Sequence, residues 1–368
     1  MEKEEKLAIL YLSAQIPNPS GGPHYSIPAQ VKAQAEVDNV LWVNFVEDSV
    51  PLWENTGVFK SIADYRSFSF ESLPAPFDHP DLVIFEDFYI PFMIRMHRLL
   101  RRNAIPYIIV PRGSLTSGAQ ALKHLKKVLG NFVFFHKFAR DAAAIQYLTE
   151  KERDNSGEYW NTYSLVIPNG VTIPQETHKV REKAREMVFI GRYNIFHKGL
   201  DILLDACAKN RDLLLKNECR ISLYGYRSEQ EKKDIEERIK TNNLAEVMFA
   251  YPPIFNEDKQ KLLRNSDVFV LTSRFEGLPM GLLEAMSFGL PCLITEGSNM
   301  KQEVDAARAG WTAETNAESL SEAIRNMLTG DLSVSEASRN AAELAKNYDW
   351  DSLAEKAHGE YLKLLGKK

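Results

Sequence analysis

Two glutamates in the second half of the chain have the spacing of a ligand site. Glu276 and Glu284 lie eight residues apart around a Gly-Leu-Pro turn, just after the apolar run Val268–Leu271. Carboxylates accept hydrogen bonds from ribose or sugar hydroxyls, whereas the free N–H groups of a helix start suit phosphate. A ligand that needs both is a nucleotide sugar. The alternative is an ordinary helix-entry loop with solvated glutamates.

Two cations follow another apolar run, Met187–Ile190. Arg192 and Lys198 bracket a short loop that begins at Gly191, and an amphipathic helix comes next. Fixed cations beside a helix start can neutralise a diphosphate, including the charge that grows as it leaves. Alternatively, Arg192 is a surface residue and Lys198 an ordinary lysine at a helix start.

The first apolar run leads into a glycine pair. Gly21 and Gly22, after Ser20, predict either a loop that approaches phosphate or a plain turn. His24 and His197 are the histidines nearest the predicted site, and both are interpreted as polar loop residues. The chain has no G-x-G-x-x-G and no P-loop motif, which argues against nicotinamide or flavin enzymes and P-loop kinases.

Residues 91–140 form a basic block with ten Lys and Arg and no acidic residue. Because the net charge of the chain is −5, the remainder carries −15. Such a block predicts a surface that meets anionic lipid, a pyrophosphate carrier or nucleic acid. Lys123, Lys126 and Lys127 lie beside an apolar helix face that suits a bilayer; a core-facing helix with solvated lysines is the alternative. Glu86 and Asp87 end a predicted strand, where they either contact an acceptor or cap the next helix.

The elements that must position these residues alternate along the chain. A length of 368 residues predicts two domains, and 44% hydrophobic residues fit substantial cores. Short apolar runs separated by amphipathic segments indicate parallel sheets covered on both faces. The predicted strands are Leu7–Leu12, Val40–Phe45, Leu82–Phe85, Tyr107–Val110, Ala144–Leu148, Met187–Ile190, Ile221–Tyr224, Val247–Phe249, Val268–Leu271, Pro291–Ile294 and one at Trp311.

The sequence therefore predicts two doubly wound α/β domains with a ligand cleft between them. The segment 167–180 has two prolines, an Asn-Gly turn and little periodicity, which is typical of a linker. The tail 348–365 is a predicted amphipathic helix. The chain lacks an apolar span of 18 residues, and its three cysteines lie singly in apolar context, which predicts a cytosolic protein with reduced core cysteines.

Four passages resemble a retaining glycosyltransferase of the GT-B fold, glycosyltransferase family 4. They are SGG (20–22), IPNGV (167–171), GRYNIFHKG (191–199) and EGLPMGLLEAMSFGLP (276–291), in the family's order and at its distances. The resemblance covers nearly the whole chain. It implies Rossmann-like domains at 1–170 for the acceptor and 184–345 for the nucleotide sugar, a linker at 171–183, and a C-terminal helix at 346–368 that crosses back to the first domain.

The resemblance also implies the roles of individual residues. Arg192 and Lys198 hold the donor diphosphate with Gly191, approached by Gly21 and Gly22, and Glu284 binds the ribose. Glu276 contacts the transferred sugar. The amides of Gly277, Leu278, Pro279 and Met280 help to hold sugar and phosphate. No metal and no other cofactor is implied, because cations and helix dipoles take that place.

Two positions depart from the family pattern. Arg112 stands where many members have a histidine, so it is expected to stabilise phosphate or bind an anionic acceptor. Gly225-Tyr226 replaces Gly-x-Gly, which narrows the approach to the nucleotide.

The expected reaction transfers a sugar from a nucleoside diphosphate to an acceptor hydroxyl with retention. The basic block suggests a lipid-diphosphate-linked acceptor of bacterial surface polysaccharide synthesis, with the predicted acceptor or membrane residues His24, Glu86, Asp87, Arg112, Lys123, Lys126 and Lys127. The expected location is the cytoplasm, where the protein is either free or peripheral on the inner face of the plasma membrane. A sugar-nucleotide epimerase of the same fold and a non-catalytic polyanion-binding protein are the alternatives. The acidic remainder of the chain argues against nucleic acid.

Overall fold

A computed structural model describes residues 5–18, 22–65, 67–121, 124–175, 181–226 and 228–367, leaving aside the surroundings of Gly118 and the side chain of His124. The chain forms two compact units. Unit 1 comprises residues 1–170 and 350–368, and unit 2 comprises residues 171–349.

Unit 1 contains one parallel sheet. Seven strands of the described chain pair in the order β3-β2-β1-β4-β5-β6-β7. The strands are β1 (Ala8–Ser13), β2 (Asn39–Asn44), β3 (Phe59–Ser61), β4 (Leu82–Glu86), β5 (Tyr107–Val110), β6 (Ala144–Tyr147) and β7 (Ser164–Val166). The helices are α1 (Gly22–Val37), α2 (Pro51–Glu54), α3 (Met93–Asn103), α4 (Ser117–Ala121), α5 (His124–Gly130), α6 (His136–Asp141) and α7 (Glu150–Ser156), with a π-helical turn at Asn131–Phe135.

The strands of unit 1 are apolar on both faces because the sheet separates two cores. On β1, Leu10 and Leu12 pack into one cluster, whereas Ile9 and Tyr11 pack into the other. Continuous apolar runs are what a doubly covered parallel sheet requires.

Unit 2 repeats this design. Six strands among the described residues pair in parallel in the order β10-β9-β8-β11-β12-β13. The strands are β8 (Glu186–Ile190), β9 (Arg220–Tyr224), β10 (Met248–Tyr251), β11 (Val268–Leu271), β12 (Cys292–Thr295) and β13 (Gly310–Ala313). The helices are α8 (Leu200–Lys209), α9 (Arg211–Lys216), α10 (Glu229–Thr241), α11 (Asn256–Asn265), α12 (Met280–Ser287), α13 (Lys301–Ala307), α14 (Ala317–Thr329) and α15 (Val334–Lys346).

The chain ends in α16 (Trp350–Leu364), which belongs to unit 1. Its buried face meets α1 and the sheet. His358 Nδ1 lies 2.9 Å from the carboxylate of Asp38, and the hydroxyl of Tyr361 donates to Gln146 at 2.8 Å. The predicted amphipathic tail helix is confirmed.

The predicted strands are all present, and their ends differ from the prediction by at most two residues. Two strands were not predicted, β3 and β7, and both are three residues long at the sheet edges. The three cysteines are buried and free, as predicted. No described helix is both long and apolar enough to cross a bilayer.

Candidate functional site

The predicted site of unit 2 is built from two loops that lie side by side. One follows β8 and the other follows β11. The hydroxyl of Thr272 lies 3.0 Å from the carbonyl oxygens of both Lys198 and Gly199. Gly199 has φ +60°, and a Cβ there would lie 1.9 Å from the carbonyl oxygen of Thr272. Only glycine tolerates this approach, so it fixes Lys198 beside the second loop.

Lys198 and Glu276, predicted from separate motifs, come together in the structure. Lys198 Nζ lies 2.6 Å from Glu276 Oε1, and the two side chains are 17% and 13% exposed. The hydroxyl of Ser273 donates to the same oxygen at 2.6 Å. Glu276 Oε2 has no hydrogen-bond partner among the described residues. One carboxylate oxygen is therefore anchored, and the other remains available to a ligand hydroxyl.

Arg192 lies on the same loop as Lys198 but is exposed. Its guanidinium forms no hydrogen bond or ion pair within the described parts of the chain. The next residue, Tyr193, is buried and anchors the loop by donating its hydroxyl to the carbonyl of Leu223 at 2.6 Å. The loop is thus held in place while the five N–H donors of Arg192 stay available to an anion.

The glycine-rich turn before α12 supplies backbone donors. The N–H groups of Gly277, Leu278 and Met280 donate to none of the residues described. Pro279 has no N–H and directly precedes the helix, so the expectation that its amide contributes is wrong. Asn299 donates to the carbonyl of Gly277 at 3.0 Å and orients the turn.

Glu284 lies in the middle of α12, one-third exposed. It forms an ion pair with Lys259 of α11. The sequence did not point to Lys259, because a lysine on a polar helix 25 residues away carries no motif.

Further contacts missed from the sequence hold the two loops together. Arg274 makes two hydrogen bonds to the carboxylate of Asp201, at 2.8 and 2.6 Å. Burial acts to raise the pKa of Asp201, but the bonds and charge of Arg274 hold it below its usual value. His197 stacks on Phe275 at 4.3 Å, and its Nε2 lies 2.8 Å from the carbonyl oxygen of that residue. These pairs fix the loop geometry.

Gly225, where the sequence predicts a narrower approach to the nucleotide, directly follows β9. A Cβ on Gly225 would lie 1.7 Å from the carbonyl oxygen of Gly191, so the two loops touch backbone to backbone. Tyr226 follows, half-buried.

Arg112 in unit 1 is engaged internally. It is nearly buried, and its guanidinium bonds to Glu86, Ser26, Asn169 and Gln30 at 2.7 to 3.2 Å. These contacts engage all three nitrogens of the guanidinium. The expectation that Arg112 binds phosphate or an anionic acceptor is therefore not supported by its contacts, which join α1, β4 and the segment before residue 170.

Glu86 and Asp87 do not cap a helix, because the next one begins at Met93. Glu86 is fully buried against Arg112, and burial raises its pKa while Arg112 acts in the opposite direction. Asp87 has φ +116° and accepts from its neighbour Phe88 at 2.6 Å. Burial raises its pKa as well.

His24 is not a loop residue. It lies in α1, buried, with its ring 5.5 Å from that of Trp53. Its Nδ1 accepts from the N–H of Asn18 at 3.3 Å, and burial lowers its pKa. Gly22 begins α1, and a Cβ there would meet no atom within 4 Å. Ser20 and Gly21 lie outside the described residues.

The three lysines predicted to contact the acceptor or membrane differ in their exposure and contacts. Lys126 is exposed. Lys127 donates to the carbonyl of Ala119 at 2.6 Å and lies over the ring of Tyr89. Lys123 lies outside the described residues.

In a comparison with known proteins, a family model matches the segment that contains this site. Residues 173–355 match the family model of glycosyl transferases group 1. The match spans nearly all of unit 2 and just under half of the chain. It includes both loops of the site and the helices that flank them.

Two relatives match this chain over segments of 151 and 111 residues. A protein named as glycosyltransferase EpsF of Bacillus subtilis is 32% identical over 151 residues, which is 39% of this chain and 35% of that protein. N,N'-diacetylbacillosaminyl-diphospho-undecaprenol alpha-1,3-N-acetylgalactosaminyltransferase of Campylobacter jejuni is 34% identical over 111 residues, 30% of this chain and 28% of that protein. The matched segments therefore span about a third of these relatives.

A solved structure matches over nearly the whole length of this chain. HepE of Anabaena in complex with UDP and glucose has a TM-score of 0.69 at 15% identity, covering 97% of this chain and 100% of that one. This likeness concerns the fold alone. With the two parallel sheets, it confirms the predicted GT-B fold class.

Proposed function

We propose that the protein is a retaining glycosyltransferase of family 4 that uses a nucleoside diphosphate sugar. The observation that carries this proposal is the cluster of Arg192, Lys198 and Glu276 at the carboxyl ends of β8 and β11, within the segment that matches glycosyl transferases group 1. In open α/β sheets, ligands bind outside this edge.

Each side chain has a role that its contacts permit. Lys198 has three N–H donors, of which one reaches Glu276, so two remain for diphosphate oxygens. Arg192 brings a second, exposed cation. Glu276 Oε2 accepts from a hydroxyl of the transferred sugar, and Glu284 accepts from the ribose.

The reaction breaks the bond between the anomeric carbon and the diphosphate oxygen. The acceptor oxygen forms its bond to the same face of that carbon, and its proton passes to the leaving phosphate. Lys198 and Arg192 stabilise the charge that develops on the leaving group, and the loops position the donor. In this proposal the cations take the role that a divalent metal has in other transferases.

The acceptor proposed is a lipid-diphosphate-linked saccharide of bacterial surface polysaccharide synthesis. The name of the Campylobacter jejuni relative includes a saccharide linked to diphospho-undecaprenol. Support from this chain comes from the segment 124–135, termed here the amphipathic segment.

The amphipathic segment presents an apolar stripe to solvent. Leu125 and Phe132 are 84% and 89% exposed, and Val128, Leu129 and Val133 are exposed too. These residues recur at helical spacing, whereas Phe134 and Phe135 of the same segment pack towards the core of unit 1. Lys126, Lys137 and Arg140 are exposed nearby. An apolar stripe beside cations suits an anionic bilayer surface, so we place the protein at the inner face of the plasma membrane.

A thermal-shift screen tests the donor. UDP-, GDP-, ADP- and TDP-sugars are added separately to the full chain, and one nucleotide class should raise the unfolding temperature. Anomeric proton NMR of the transfer product then identifies the configuration. Absence of any shift at millimolar donor would contradict the proposal, and conversion of the donor to an isomer without acceptor would indicate an epimerase.

A further inference from the structure

A groove of about 620 Å³ lies in unit 1 between the amphipathic segment and the end of α7. Within the described part of the chain, none of its lining residues is Asp, Glu, Lys or Arg. Its walls are amide, hydroxyl, imidazole, aromatic and aliphatic side chains, principally Gln120, Asn131, His136, Asn155, Tyr159 and Trp160. No predicted site residue that the structure describes lines it. A neutral groove of this size suits a small uncharged ligand.

An aromatic platform forms one side of the groove. Trp160 is buried, whereas Tyr159 is 64% exposed. His136 stacks on Tyr159 with ring centres 4.2 Å apart, and its Nε2 lies 2.9 Å from the carbonyl oxygen of Tyr159. The Tyr159 ring is thus fixed on one face, and its hydroxyl bonds to none of the described residues. A fixed, exposed ring offers an apolar surface with a polar tip.

Amides of fixed orientation lie on the other side. The hydroxyl of Tyr89 lies 3.0 Å from Gln120 Oε1 and 2.9 Å from Asn131 Oδ1. Asn131 Nδ2 donates to Gln120 Oε1 at 3.2 Å, and Gln120 Nε2 donates to the carbonyl of Ser114 at 2.7 Å. Each amide nitrogen keeps a second hydrogen. The carboxamide of Asn155 bonds to no part of the described chain.

We propose that this groove binds a sugar ring of the acceptor. A sugar offers apolar C–H faces and hydroxyls that both donate and accept, which the Tyr159 ring and the neutral amides match. The described lining residues include no cation that could bind the diphosphate of the acceptor, so the proposal assigns only the sugar to the groove.

The position of the groove fits a membrane-borne saccharide. Val128 and Phe132 line it and also belong to the exposed apolar stripe. A sugar bound there lies next to the surface proposed to contact the bilayer. The inference rests on the proposed function, because it supplies the acceptor site of that transfer.

Direct binding tests the groove without any donor. The probes are water-soluble short-alkyl diphosphate esters of N-acetylglucosamine, N-acetylgalactosamine, glucose and galactose, titrated into the full chain by calorimetry. Tyr159→Ala and Asn155→Ala should each weaken binding of the best ester by about tenfold. Both side chains are exposed, so folding should persist, and circular dichroism checks it.

Two variants serve as matched controls. Tyr163→Ala removes an equally exposed tyrosine outside the groove, and Leu129→Glu alters the apolar stripe without touching the lining. Both should keep the wild-type Kd for the soluble ester. Unchanged Kd in Tyr159→Ala and Asn155→Ala, or no binding of any ester by the wild-type chain, would overturn the inference. Groove-dependent binding without glycosyl transfer from any donor would instead count against the proposed function alone.

Discussion

Glu284 illustrates how one side chain can be tested apart from its neighbours. Its carboxylate is paired with Lys259 and is proposed to accept from the ribose hydroxyls. The Glu284→Ala variant should bind the preferred nucleoside diphosphate about tenfold more weakly, since a hydrogen bond to a charged group is lost.

A 2'-deoxy nucleotide makes this test specific. The wild-type protein should prefer the ribonucleotide by calorimetry, and Glu284→Ala should lose most of that preference. Glu257→Ala, on the exposed side of α11, is the control. An unchanged ribo-to-deoxy ratio in Glu284→Ala would refute the ribose role.

His24 predicts a pH dependence of stability. Because burial lowers its pKa below 6.5 in the folded state, the unfolded chain binds the proton more readily. The stability that neutral, buried His24 contributes is therefore present above pH 6.5 and is lost as the pH falls through the pKa of His24 in the folded state. The fall in Tm between pH 7.5 and pH 5 should therefore be smaller in His24→Asn. An equal fall in both proteins would contradict this origin.

Among the elements, the two loops of the site approach each other closely where Gly199 meets the carbonyl of Thr272. Gly199→Ala places a Cβ against the carbonyl of Thr272 at φ +60°, which should destabilise unit 2 by at least about 2 kcal/mol in urea unfolding. Gly359→Ala in α16 meets no atom within 4 Å and should be neutral or slightly stabilising. Equal stability of the two variants would show that the loops do not need this approach.

The amphipathic segment gives a second test among the elements. Leu129→Glu should reduce flotation with vesicles containing anionic lipid by about fivefold or more, and high salt should weaken wild-type binding. Lys216→Glu, at the end of α9 in unit 2, is the control for added negative charge. Binding indifferent to anionic lipid, salt and Leu129→Glu would remove the membrane proposal.

The sequence predicted the buried strands well, because continuous apolar runs such as Leu82–Phe85 are typical of a doubly covered parallel sheet. It missed β3 and β7, where backbone pairing at an edge rather than side-chain pattern makes the strand. Helical periodicity located the amphipathic segment but could not say that its apolar stripe faces solvent. The pairing of Lys198 with Glu276 was also beyond reach, because it depends on loops 78 residues apart.

At the scale of the whole molecule, two sheets of the same design carry different chemistry. Unit 2 concentrates exposed or half-buried cations and acids at the ends of β8 and β11. In unit 1, charged side chains near the strand ends pair with each other, as Arg112 and Glu86 show. This unit also has a groove whose described lining residues are uncharged, and an exposed apolar stripe. We therefore propose that the donor binds to unit 2 and the acceptor to unit 1.

The most direct test of these assignments is the kcat/KM of Lys198→Ala and Glu276→Ala for the donor found by thermal shift. Each should fall by about 100-fold or more, equivalent to about 2.7 kcal/mol of lost transition-state stabilisation. Lys209→Ala, an exposed ion-paired lysine on α8, should stay near wild type. Near-normal transfer by either folded site variant would contradict the claim that this pair holds and activates a nucleotide sugar.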